Sequence, residues 1–146
     1  MRRCVYKGSL NGTSPILKPF QVNDTQTIYQ GDIVVLATNK ASIAADAAAA
    51  GTVIGVSATD IVTATAAATD IIYVDVNPAS IYEMAYVTTA PAVGNKYDMG
   101  TAAYTVDGAD TTDGWLQIVP WDDGTGADTT NLLCNVILCN RVYGMA

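Results

Sequence analysis

Apolar positions along this chain fall in short runs bounded by turn residues, and few of them follow a helical period. Residues 33–38 form a continuous run of mostly β-branched side chains directly after Gly31-Asp32, which predicts a strand buried on both faces. Residues 52–56 and 61–65 predict two more strands. In 71–76 the period is two: Ile72, Val74 and Val76 share one face, Tyr73 and Asp75 the other, and Asn77-Pro78 stops the strand. Residues 81–88 repeat the alternation, with Tyr82, Met84 and Tyr86 on one side. A glycine-bounded strand within 93–100 has 104–106 as its expected hairpin partner. The turn pairs Asp107-Gly108, Asp113-Gly114 and Asp123-Gly124 set off a strand over 115–121. The last run, 131–143, is the longest and most apolar, and is expected to cross the core.

Strands at this spacing predict an all-β fold, a small β-sandwich or β-barrel of about eight to ten short strands. The first thirty residues differ. Asn11-Gly12, Ser14-Pro15, Lys18-Pro19 and Asn23-Asp24 crowd them with turn formers, so the expected organisation is an extended N-terminal arm over 1–30 and a single β-domain over 31–146. The alanine-rich stretch 41–50 has high helix propensity with Gly51 at a capping position, but Ile43 is its one large apolar anchor. A short helix and an extended connection both remain open there.

Composition narrows the function. The chain has 146 residues, long enough for one domain to bury a core without metal or disulfides. Charged residues make up 14 %, well below the usual share of about a quarter; such a surface costs little to desolvate against copies of itself or a partner. The net charge of −7 disfavours general nucleic-acid binding. The cations Arg2, Arg3, Lys7 and Lys18 all fall in the first eighteen residues: a strap for an acidic partner surface, or an ordinary solvated terminus. The first thirty residues hold no apolar segment suited to a secretory signal, and no run reaches membrane-spanning length. The expectation is a soluble chain made in the cytosol, with no membrane partner.

Histidine is absent and Glu83 is the one glutamate, so the usual proton-transfer groups are scarce, and the expectation is no enzyme, no catalytic residues and no cofactor. Asp107, Asp110 and Asp113 recur every third residue, a spacing unlike a helix-loop-helix calcium site; a solvated turn cluster is the expected reading, with no metal. Cys134 and Cys139 sit too far apart along a strand for a bridge and read as buried thiols, while Cys4 pairs with either only if the N-terminal strand lies beside the C-terminal one. Trp115 and Trp121 are the candidate ligand or interface aromatics, a stacking platform for sugar rings together with Tyr97 and Tyr104, set against the commoner fate of core packing.

The pattern Gly31-Asp32-x-Val34, an alanine-rich connection, Gly51-Thr52-Val53-Ile54-Gly55-Val56-Ser57 and Val93-Gly94-Asn95-Lys96-Tyr97 resembles the small β-rich decoration proteins, also called cement or auxiliary head proteins, of tailed bacteriophages. The resemblance spans about residues 29–100. It implies a structural virion protein on the outer surface of an icosahedral capsid, assembled in the host cytoplasm, that binds the major capsid protein as a trimer or dimer and holds neighbouring capsomers together. Arg2, Arg3, Lys7 and Lys18 are then the expected capsid-contact residues. Two other readings stay beside it: a carbohydrate- or receptor-binding surface module, and a self-assembling filament or surface-layer subunit.

Overall fold

The computed structural model describes residues 3–45, 48, 50–139 and 142. Strands dominate it, and among the described residues there is no α-helix. In chain order the strands are β1 (Val5–Ser9), β2 (Leu17–Gln21), β3 (Thr27–Ile28), β4 (Ile33–Ala37), β5 (Lys40–Ile43), β6 (Val53–Ser57), β7 (Ile61–Val62), β8 (Ile71–Asp75), β9 (Ser80–Val87), β10 (Lys96–Tyr97), β11 (Thr105–Asp107), β12 (Leu116–Val119) and β13 (Leu133–Leu138).

Two mostly antiparallel sheets pack as a sandwich. One runs β1-β9-β13-β12-β10, with β11 pairing parallel to the end of β9; the other runs β2-β8-β6-β4-β5. The named strands of neither path close on themselves, although one bridge joins Val22, just past β2, to Ala41 of β5; of the two architectures expected from sequence the sandwich is the one observed. The main core lies between them and includes Ile33, Val53, Val56, Tyr82, Met84, Trp115, Ile118 and Val136. A second core on the far face of the β2–β5 sheet, with Val34, Ile54, Ile72 and Val74, is closed by the β3–β7 ribbon through Ile28 and Ile61. The middle sheet is therefore covered on both sides, which is why β4 and β6 read as unbroken apolar runs.

Close packing sets where glycine stands. A Cβ on Gly55 would overlap the Asp75 carbonyl of the neighbouring strand, so only glycine lets β6 and β8 approach this closely.

Several expectations change. The N-terminal thirty residues are not an extended arm: β1 pairs with β9, β2 with β8 and β3 with β7, so this segment supplies an edge strand to each large sheet. Turn formers lie between these strands, and Pro19 is tolerated inside β2 because β2 is an edge. In 41–50 the chain is extended through Ile43, and a 3₁₀ turn covers Ala50–Thr52. The expected hairpin is present over 98–107, where Gly100 N donates to Thr105 O and Asp107 N to Asp98 O. Its flanks pair elsewhere, however: β10 with β12, and β11 with β9. The longest strand is β9, not the C-terminal run, of which Leu133–Leu138 is strand; residues 140, 141 and 143 lie outside the described part.

Candidate interaction surface

The basic residues of the N-terminus are mostly spoken for. Arg3 Nε donates to Asp32 Oδ1 at 2.9 Å, and the Asp32 side chain is fully buried. The guanidinium also lies 4.7 Å from the Tyr29 ring centroid and 5.0 Å from that of Tyr104, a stacked geometry that suits a planar cation. Tyr29 N donates to the other Asp32 oxygen at 2.9 Å. Lys7 Nζ sits 3.2 Å from Glu83, which is buried in the middle of its sheet, and 5.8 Å from the centroid of Trp121. Lys18 is exposed on β2, in the other sheet, and Arg2 lies outside the described residues. So the structure ties Arg3 and Lys7 to the domain they belong to and sets Lys18 apart from them. Arg3 and Lys7 are thus not part of a loose basic strap.

The two tryptophans separate. Trp115 has no exposed surface, packs in the main core and donates its Nε1 proton to Ala48 O at 3.3 Å, so it is a core residue and leaves the stacking platform. Trp121 is half-buried beside Lys7. Tyr97 is buried, with its hydroxyl accepting from Ala92 N.

All three cysteines are free and buried. Cys4 does not reach β13 as a strand neighbour, because β9 runs between β1 and β13. Burial, with the Asp32 carboxylate adding to it, pushes the Cys4 thiol far above its ordinary range. Burial, then the Glu83 carboxylate, pushes Cys134 up to about 12. Neither is a thiolate near neutral pH. In the acidic loop, Asp107 Oδ1 accepts from Ala109 N and Asp110 Oδ1 from Thr112 N. These carboxylates brace turns, and among the described residues no group of three possible ligands is brought together for a metal.

What the sequence did not single out is an uncovered shelf on the β2–β8 edge. By strand alternation Leu17 and Pro19 of β2 and Ile71 and Tyr73 of β8 face the side on which the other sheet packs, yet that sheet does not extend over them. Leu17 stays 48 % exposed, Tyr73 48 % and Ile71 42 %. One position further along β8 the cover begins: Asp75 is buried, accepting from Tyr82 Oη at 2.6 Å, Ile16 N at 3.0 Å and Asn77 N at 2.9 Å. Tyr6 of β1, 39 % exposed, and Leu17 face each other across an opening of about 210 Å³ between the two sheet edges. Pro19 pairs with Tyr73 and Gln21 with Ile71, while Leu17 pairs with Asp75, whose buried carboxylate bounds the shelf at that end. The signal in the sequence was Ile71 and Tyr73 themselves: large apolar residues on the supposed wet face of an alternating strand require either a second layer or a partner.

Compared with protein-family models and with curated proteins, the sequence matches none.

Proposed function

We propose that this chain is a structural protein of a virion, a decoration protein that attaches to the outer surface of an icosahedral phage capsid and reinforces contacts between capsomers. The observation that carries the reading is the shelf of Leu17, Pro19, Ile71 and Tyr73 with Tyr6 beside it, a group of large, roughly half-exposed side chains brought together on the paired strands β2 and β8. Two of the resembling motifs sit at β4 and β6 in the middle sheet and the third at β10 in the other sheet, so they bear on the strand framework and leave the contact to the edge.

Magnitudes decide what form the attachment takes. Leu17, Ile71, Tyr73 and Tyr6 are each close to half exposed, so covering what remains contributes about 1 kcal/mol apiece. The sum is about 4 kcal/mol before any cost of association, which corresponds to millimolar affinity at best. A single copy would not stay bound. Many copies on a lattice, or two or three shelves joined in one oligomer, raise the effective affinity without new chemistry. The reading therefore requires a dimer or trimer, or a lattice of neighbouring copies.

The test is reconstitution. Capsids prepared without the chain are given it back, then challenged by heat and by low ionic strength. Restored resistance supports the reading; capsids equally fragile with and without the bound chain refute it.

A further inference from the structure

Beyond the end of β12 the chain turns back sharply. Gly124 N donates to Trp121 O and Trp121 N to Thr125 O, both at 2.8 Å. Gly126 then packs directly on the Pro91 carbonyl, where any Cβ would overlap it. The turn brings Gly126 against Pro91 and leaves an open cleft of about 380 Å³, lined among others by Trp121, Asp123, Thr125, Asp128, Thr129 and Thr130. The size is that of a small-ligand site.

Its walls are fixed. Asp123 Oδ1 accepts from Thr125 N at 2.9 Å and from Thr125 Oγ1 at 2.6 Å. Asp128 Oδ1 accepts from Thr130 N at 2.9 Å and Asn131 N at 3.2 Å, and its Oδ2 from Asn131 Nδ2 at 2.8 Å. These bonds hold both carboxyls below the usual carboxylate range, so both are ionised at neutral pH and set in position before any ligand arrives.

Charge selects the ligand class. Two carboxylates at the cleft repel an anion. A cation is drawn to the same carboxylates, but on the indole it competes with the Lys7 ammonium, which lies 5.8 Å from the ring centroid outside the cleft lining. A wholly apolar ligand would desolvate carboxylates and threonine hydroxyls without replacing their hydrogen bonds. A neutral ring with an apolar C–H face and hydroxyls at its rim conflicts with none of them. We infer that this cleft binds a neutral saccharide, one pyranose ring stacked on Trp121 with its hydroxyls hydrogen-bonded to Asp123, Asp128 and the neighbouring threonines. The inference does not depend on the capsid reading.

The experiment titrates the full chain with soluble neutral oligosaccharides of glucose, N-acetylglucosamine, galactose and mannose. Tetramethylammonium and a sulfated oligosaccharide serve as the charged arms. Tryptophan fluorescence and calorimetry are read together. Trp115 is sealed in the core, so a ligand-dependent change reports Trp121. The expected result is saturable binding of at least one neutral sugar and of neither charged probe, weakened about tenfold or more in Trp121→Ala. A blue-shifted Trp115 emission, lost on adding denaturant, shows that the variant is folded. In the unaltered chain the same sugar should protect Trp121 from oxidation by N-bromosuccinimide, a readout that needs no variant. No saturable response to any neutral sugar, binding of a charged probe alone, undiminished affinity in folded Trp121→Ala, or an unprotected indole would each overturn the inference.

Discussion

Asp32 is buried completely, and its two oxygens are taken by Arg3 Nε and Tyr29 N. Arg3→Ala leaves that carboxylate without its counter-charge. Because the arginine side chain is itself 35 % exposed, the cost belongs at the low end for a broken ion pair, about 1–2 kcal/mol. A urea-unfolding midpoint lowered with unchanged slope is the expected result; an unchanged midpoint would show the pair contributes nothing. The thiols make a second prediction at this scale. Cys134 has its pKa raised by burial from 9.0 to about 12, so the folded chain keeps a proton that the unfolded chain releases. That contribution to stability is whole below pH 9.0 and is lost as pH rises toward about 12. Cys4, raised in the same sense, acts in the same direction. The melting temperature should therefore fall on the alkaline side, and a disulfide reagent should label neither thiol until the chain unfolds. Fast labelling of the native protein would contradict the burial.

Among the elements, β6 depends most on a single residue. Gly55→Ala places a methyl group into the Asp75 carbonyl, in backbone that has no room to move between two filled cores. The expected loss is about 3 kcal/mol, measured as a large drop in melting temperature; a variant as stable as the parent would mean β6 and β8 can separate. Strands of this kind were legible from sequence because their partners impose a period: β4 and β6 as covered runs, β8 and β9 as alternations. β1 and β2 were not. The apolar content of β1 is slight, β2 carries a proline, and each is held by a strand more than fifty residues away. Separation along the chain also hid the roles of Arg3 and Lys7, whose acidic partners Asp32 and Glu83 lie 29 and 76 residues on. A basic cluster in the sequence thus became two separate internal ion pairs. Trp115 and Trp121 illustrate a related limit. They flank the same strand, but β12 ends before Trp121, so one indole enters the core and the other stays at the surface.

At the scale of the whole molecule, the first sheet leaves part of the β2–β8 pair uncovered, and four large apolar side chains stand together there. Tyr73→Asp and Ile71→Asp place charge on that shelf at positions already close to half exposed and opposite uncharged partners, so each should change stability by less than about 0.5 kcal/mol. Each should still impair attachment severely, because one lost contact is repeated in every copy on a lattice. Circular dichroism and thermal melting verify the first half of that statement. The second half is the central claim, and sedimentation tests it most directly. The purified chain and its two shelf variants are mixed with tailed-phage capsids prepared without the chain, and the capsids are pelleted. The account predicts that the parent chain pellets with the capsids in stoichiometric amounts, while both folded variants stay in the supernatant. A parent chain that stays in solution, or variants that pellet as fully as the parent, would contradict it.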